Sequence, residues 1–180
     1  MRKILYVFGL LTDADVAWMA GAGTRRRVPA DGTLTVEGTP VDFLGIVLEG
    51  ELLVSARGAG HLARLGVGEV IGEMSLVEAA PASATIRAAR DSLILSIDKA
   101  ALLDRLGADD GFAARFYRAL AVFLADRLRS VTARVGAGPD APAEALPERD
   151  ELDAVVLDSI SAAGERFHRM LKVLASARPS

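Results

Sequence analysis

The chain has 180 residues, 51% of them apolar, and a formal net charge of −3. This suits one well-cored domain with an appendage; it excludes wholesale disorder and two full domains, and it offers no general attraction to nucleic acid or anionic lipid. Cysteine is absent and the two histidines, His61 and His168, stand alone, which excludes disulfides, thiolate metal sites, cysteine nucleophiles and a histidine-rich metal site, and fits a reducing compartment.

The opening "MRKILYVFGLL" sets two cations before eight apolar residues, too short a run to span a membrane. Asp13, Asp15 and Trp18 break the pattern of a cleavable leader, so residues 1–24 are read as a helical segment that docks on the domain. Thr12 or Asp13 can cap a helix through Trp18 and Met19, with Gly21 and Gly23 as its stop. From Arg25 to about Ile97 the pattern becomes "RRRV", "TLTV", "FLGIVLE", "ELLVSA", "HLARL", "EVI", "ATIRA" and "SLILSI", separated by glycine-rich turns. These eight short runs predict a mainly β fold with flanking helices, an antiparallel jelly-roll β-barrel. The arginines at 25–27 sit on a strand of an acidic chain and are read as facing water, not nucleic acid.

After Ile97 the period lengthens to that of a helix. Asp98 can cap a short helix through Leu106, with Gly107 as its stop. Asp109 or Asp110 then opens a long helix to about Val135, with an apolar stripe of Phe112, Phe116, Leu120, Phe123, Leu124, Leu128, Val131 and Val135. The stripe needs the barrel, a twin helix of a second chain, or both; a homodimer through Phe112–Val135 is expected. The stretch "GAGPDAPAEALPER" marks 136–150 as a linker between the 25–135 domain and residues 151–180. There Leu152, Val156, Ile160, Ala163, Phe167, Met170, Leu171 and Leu174 make a C-terminal amphipathic helix, a candidate surface for a protein partner.

A jelly roll followed by a short and a long helix, with Gly-Glu just past a late strand, resembles the cyclic-nucleotide-binding domain family. The resemblance covers roughly residues 10–135, and the family's glycine framework stands here as Gly32, Gly50, Gly68 and Gly72 in "ADGTL", "LEGEL", "LGVGE" and "IGEMSL". The family's phosphate cassette, Phe-Gly-Glu-Leu-Ala-Leu and then Pro-Arg-Ala-Ala-Thr, is matched by Ile71-Gly72-Glu73-Met74-Ser75-Leu76 and Pro81-Ala82-Ser83-Ala84-Thr85. The ligand-binding set this implies is Gly72, Glu73, Met74, Ser75, Ala82, Ser83, Ala84 and Thr85. Each residue type suits that work. Gly72 lets backbone and ligand approach, a helix starting at Glu73 or Met74 points free N–H groups outward, and Ser83 and Thr85 bring hydroxyl donors. The resemblance gives Glu73 the role of accepting hydrogen bonds from a sugar hydroxyl.

Ala82 stands where the family pattern has arginine. That arginine neutralises the cyclic phosphate through a charge-assisted bond worth about 1.5–3 kcal/mol, so its loss costs roughly ten- to a hundredfold in affinity. Substitute cations are sought in Arg87, which shares a strand face with Thr85, and in Arg64 on a neighbouring strand. Arg127 and Arg129 lie on the long helix, which in relatives covers the pocket. The resemblance pairs Arg127 with the Glu73 carboxylate and sets Ser130 and Thr132 where relatives contact the base.

These readings describe a non-enzymatic, cytoplasmic sensor or regulatory module that takes a small-molecule ligand. Cyclic AMP or cyclic GMP is implied by the resemblance; no other cofactor and no metal are expected. The alternative is a degenerate domain that binds no ligand and serves as a dimerisation or docking scaffold. No nucleophile–base pair, P-loop or dinucleotide fingerprint supports an enzyme. The roughly 45 residues after the long helix leave no room for a helix-turn-helix unit, so no DNA partner is expected, and no membrane.

Overall fold

The computed structural model describes residues 9–78, 80–137 and 164–166. Helix α1, Asp13–Ala22, begins with a reciprocal cap. The Asp15 N–H donates to Thr12 Oγ1 at 3.2 Å, and the Thr12 N–H donates to Asp15 Oδ2 at 2.8 Å. The expected stop at Gly21 is not used. The helix runs to Ala22 and leaves through Gly23 in extended geometry, because the chain passes straight into strand β1, Gly23–Val28.

Seven further strands follow: β2, Thr33–Thr35; β3, Phe43–Glu49; β4, Leu52–Ala56; β5, Gly60–Leu65; β6, Val70–Ile71; β7, Thr85–Ala88; and β8, Ser92–Asp98. All eight expected strands are therefore present. They form two antiparallel four-stranded sheets, β1-β8-β3-β6 and β2-β7-β4-β5. The result is a roll of two facing sheets, not a barrel closed by hydrogen bonds. The edge strands β2 and β6 have only three and two residues, too few to carry a ladder from one sheet to the other.

Strand β3 shows why the sequence reads as a continuous apolar run there. Phe43 and Val47 face the second sheet, packing with Leu52, Val54 and Ile71, while Leu44, Ile46 and Leu48 face the helices. A strand covered on both faces loses the usual alternation. The helical layer comprises α1 with α3, Lys99–Ala108, and α4, Asp110–Ala137. Asp98 Oδ1 accepts from the Ala101 N–H at 2.9 Å to start α3, and Asp109 Oδ1 accepts from the Phe112 N–H at 2.9 Å to start α4. Gly107 lies inside α3 rather than ending it.

The stripe of α4 is spent largely on its own chain. Phe112, Phe116, Ala119, Leu120 and Phe123 are buried with α1, β3 and β8, whereas Leu128 is 67% exposed. The homodimer expected through the whole stripe therefore has only its far end available among the described side chains; Val131 and Val135 lie outside them. Trp18 of α1 meets Phe112 edge-on at 5.5 Å between ring centres. Beside it the Asp15 carboxylate, 2% exposed, receives Arg115 Nε at 2.7 Å and Nη2 at 3.0 Å. Burial works to raise the Asp15 carboxyl, but the bonds from Arg115 and Thr12 and the arginine's charge overcome it and hold the group below its ordinary value.

Residues 1–8, the 138–150 part of the linker and the C-terminal helix outside 164–166 lie beyond the described residues. Residues 164–166 are helical, and Arg166 donates to Asp13 Oδ1 at 2.6 Å. Among the described residues no helix is long and apolar enough to cross a membrane.

Candidate functional site

Strand β6 ends at Ile71, and the chain turns at Gly72 with φ of 80°. A Cβ there would lie 2.3 Å from the Phe43 carbonyl oxygen, so glycine is required on two counts, conformation and space. The turn launches the short helix α2, Glu73–Val77. Its first residue, Glu73, is 3% exposed, and its Oε1 accepts a hydrogen bond from Arg127 Nη1 of α4. The same guanidinium lies 5.8 Å from the Phe123 ring centre. Burial pushes the Glu73 carboxyl above its ordinary value, and the charge and hydrogen bond of Arg127 offset only part of that. The Ser75 hydroxyl turns inward and donates to the Gly72 carbonyl at 2.9 Å, while Lys99 Nζ donates to the Ser75 carbonyl. Ser75 is thus used to fold the cassette. Met74 is exposed.

The second half of the cassette is held by its backbone. Gly38 N–H donates to the Ala82 carbonyl and Ala82 N–H to the Thr39 carbonyl, both at 2.8 Å. Ala82 and Ala84 pack against the core between the sheets. Ser83 is exposed, with its hydroxyl 3.7 Å from Met74 Sδ. Thr85 and Arg87 go elsewhere. In the β4–β7 register Thr85 pairs with Ser55 and Arg87 with Leu53, which sets both on the outer face, while Ile86 points inward. The Thr85 hydroxyl accepts the Glu37 N–H at 3.0 Å, and Arg87 Nε donates to Thr33 Oγ1 at 3.3 Å. The two residues line a separate open depression.

Between the cassette, strands β4 and β5 and helix α4 lies a cavity of about 320 Å³. Gly72, Glu73, Met74, Ser75, Ala82, Ser83, Ala84, Arg64 and Arg127 line it; Thr85 and Arg87 do not. Arg129 is exposed and paired with Asp126 at 3.9 Å, and the Thr132 hydroxyl donates to the Leu128 carbonyl at 3.0 Å. The Ser130 side chain lies outside those described. Arg64, 74% exposed, reaches Glu51 Oε1 at 2.5 Å. Sequence reasoning missed Thr35, Glu69 and Glu78 in the lining: Glu69 and Glu78 flank the Val70–Val77 segment in the chain, whereas β-pairing brings Thr35 in. Thr35 is 9% exposed, and its hydroxyl has no hydrogen-bond partner among the described residues. Among the described residues no group of three or more His, Cys, Asp or Glu side chains is arranged to hold a metal ion.

The sequence model of the cyclic nucleotide-binding domain matches residues 25–109. Over those residues the chain is similar to that family. A cyclic nucleotide-binding domain from Methylobacillus flagellatus superposes with a TM-score of 0.67 at 24% identity, covering 81% of this chain and 86% of that one, a likeness of fold. The N-terminal domain of a transcriptional regulator from Streptomyces coelicolor superposes with a TM-score of 0.60 at 28% identity, over 79% of this chain and 99% of that one. An uncharacterized NTE family protein of Mycobacterium bovis is 29% identical over 153 residues, 83% of this chain and 26% of that protein. The chain thus spans about a quarter of the length of the curated relatives it matches. The family match implies a regulatory or sensor module for residues 25–109. The Gly72 turn, Glu73 and Ala82 all line its cavity.

Proposed function

We propose that the chain is a non-enzymatic sensor whose cavity binds a small ligand of nucleotide type and whose helix α4 relays that binding. The observation that carries this is the ion pair between Glu73 and Arg127, which joins helix α2 to α4 and whose two members both line the cavity. A ligand hydroxyl that engages Glu73 competes with or reinforces that pair, and so biases how α4 lies on the roll. The shift it produces is limited to its differential affinity for the two positions. Gly72, Glu73, Ala82, Ser83 and Ala84 supply the contacts. Cyclic AMP and cyclic GMP are candidates at reduced affinity, because the charge-assisted bond of the missing arginine is worth about ten- to a hundredfold. If the chain is part of a longer protein, as the span of its curated relatives suggests, the relay acts on the segment C-terminal to α4.

The test is a thermal-shift titration with cyclic AMP, cyclic GMP and their nucleosides, together with hydrogen exchange of α4. A ligand-specific rise in melting temperature with changed protection over residues 110–129 is expected. No rise with any of them at millimolar concentration would sink the sensor. A second reading, a dimerisation scaffold, rests on Leu128, the exposed end of an otherwise buried stripe. A concentration-dependent dimer that Leu128→Glu dissolves, with no ligand response, would favour it.

A further inference from the structure

The charges around the cavity decide what kind of ligand suits it. Two arginines, Arg64 and Arg127, line it against three glutamates, Glu69, Glu73 and Glu78, an excess of one negative charge. Both arginines are already engaged by carboxylates of the chain, Arg64 by Glu51 and Arg127 by Glu73. A cyclic phosphodiester keeps its negative charge at neutral pH. It would meet three carboxylates in the lining and would have to share a guanidinium with Glu51 or Glu73.

We propose that the cavity takes an uncharged, hydroxyl-bearing ligand of nucleoside size in preference to a cyclic phosphodiester. This rests on the reading of the cavity as a ligand site and narrows its ligand class. Glu73 is the acceptor for the ligand's hydroxyls. A carboxylate offers about four acceptor sites, and one N–H of Arg127 engages Oε1. Thr35 also lines the cavity, and its buried hydroxyl has no partner among the described residues. Val54, Leu65, Ile71 and Ile86 supply an apolar wall for the flat face of a ring. Ala82 removes the group that would reward a phosphate, and its small side chain leaves room beside the wall. The volume, about 320 Å³, sits at the compact end of small-molecule pockets, which run from roughly 300 to 1,000 Å³.

Calorimetric titration of the unaltered chain against adenosine, guanosine, cyclic AMP and cyclic GMP tests this. At least one nucleoside is expected to bind about tenfold or more tightly than its own cyclic phosphate, the fold-change of one charge-assisted bond. Ala82→Arg is expected to raise the affinity for the cyclic phosphate by about ten- to a hundredfold while leaving the nucleoside within about threefold. A cyclic nucleotide that binds the unaltered chain more tightly than its nucleoside overturns the inference and leaves the sensor standing. Heat from none of the four, in the unaltered chain or in Ala82→Arg, overturns both. The decisive comparison uses the unaltered protein, so it does not depend on how the variant folds.

Discussion

Replacing Arg127 by methionine isolates the link between the cassette and α4. Methionine keeps an apolar side chain beside Phe123 but leaves the Glu73 carboxylate, 3% exposed, without its cationic partner. Removing one member of a buried pair costs about 3–5 kcal/mol, because the remaining charge stays desolvated. Here the arginine side chain keeps 29% of its exposure, and the glutamate can take up a proton, so about 2–4 kcal/mol is expected at pH 7. For a chain of this size that corresponds to a fall in melting temperature of about 5–15 °C.

The pH dependence gives the reasoning its sharpest check. Burial already raises the folded-state value of Glu73 above the unfolded value of 4.5, so between the two the folded protein holds more protons than the unfolded chain. Stability from this group is complete below the unfolded value and is lost as pH rises through the raised one. Without Arg127 the rise is larger and the loss extends further towards neutrality. The deficit of Arg127→Met should therefore shrink between pH 7 and pH 5, and adding Glu73→Gln should remove both the pH dependence and most of the deficit. Thermal unfolding followed by circular dichroism at the two pH values measures this. A deficit under about 0.5 kcal/mol, the size of an ordinary surface change, or one that grows on acidification, would refute the buried-pair account.

Three other expectations concern the frame. Arg115→Met should lower the midpoint of urea unfolding at pH 7 by stranding Asp15. Because Asp15 is held below its unfolded 3.8, its contribution is present above that value and lost as pH falls through the depressed one, so the deficit should narrow in acid. Gly72→Ala should cost well over the roughly 1–2 kcal/mol expected of Gly58→Ala. Both glycines have positive φ, but only at Gly72 does the new Cβ meet backbone, the Phe43 carbonyl, whereas nothing lies within 4 Å at Gly58. Phe112→Ala should cost about 3–5 kcal/mol and Leu128→Ser less than about 0.5, since one side chain is fully buried on the roll and the other exposed. Equal costs would place the packing of α4 wrongly.

Much of the fold was legible because its signals are local. Short β-type runs broken by glycine announced every strand, and the side chains of Thr12, Asp98 and Asp109 announced the helix starts that they cap. The helix ends were less legible. Gly21 and Gly107 have the residue type of a stop, yet both lie inside their helices, and α1 ends instead at Gly23 in extended geometry. The difference between a closed barrel and an open roll depends on whether edge strands meet, which no single strand's sequence records. The stripe of α4 showed that a partner was needed, but whether that partner was the roll or a second chain was decided by long-range packing with β3 and β8.

The site divides along the same line. The Gly72–Glu73 turn was legible, since a glycine, a carboxylate and a helix start follow one another in the chain. The resemblance set Thr85 in the ligand set and the shared strand face added Arg87, but the register of β7 on β4 sets both on the outer face, where a shift of one residue would reverse them. Thr35 entered unannounced, because only pairing of β2 with β7, about fifty residues further on, brings it near the cassette.

The shape of the 71–85 segment does not depend on the side chain at position 82, for a reason visible in its bonds. The turn is enforced by Gly72 against the Phe43 carbonyl, the short helix by Ser75 and Lys99, and the second half by backbone bonds between Gly38, Thr39 and Ala82. None of these uses the side chain at position 82. Shape and charge are therefore separable here. If the cavity takes a neutral ligand as proposed, placing a single guanidinium at position 82 should shift its preference towards an anion without rebuilding the fold.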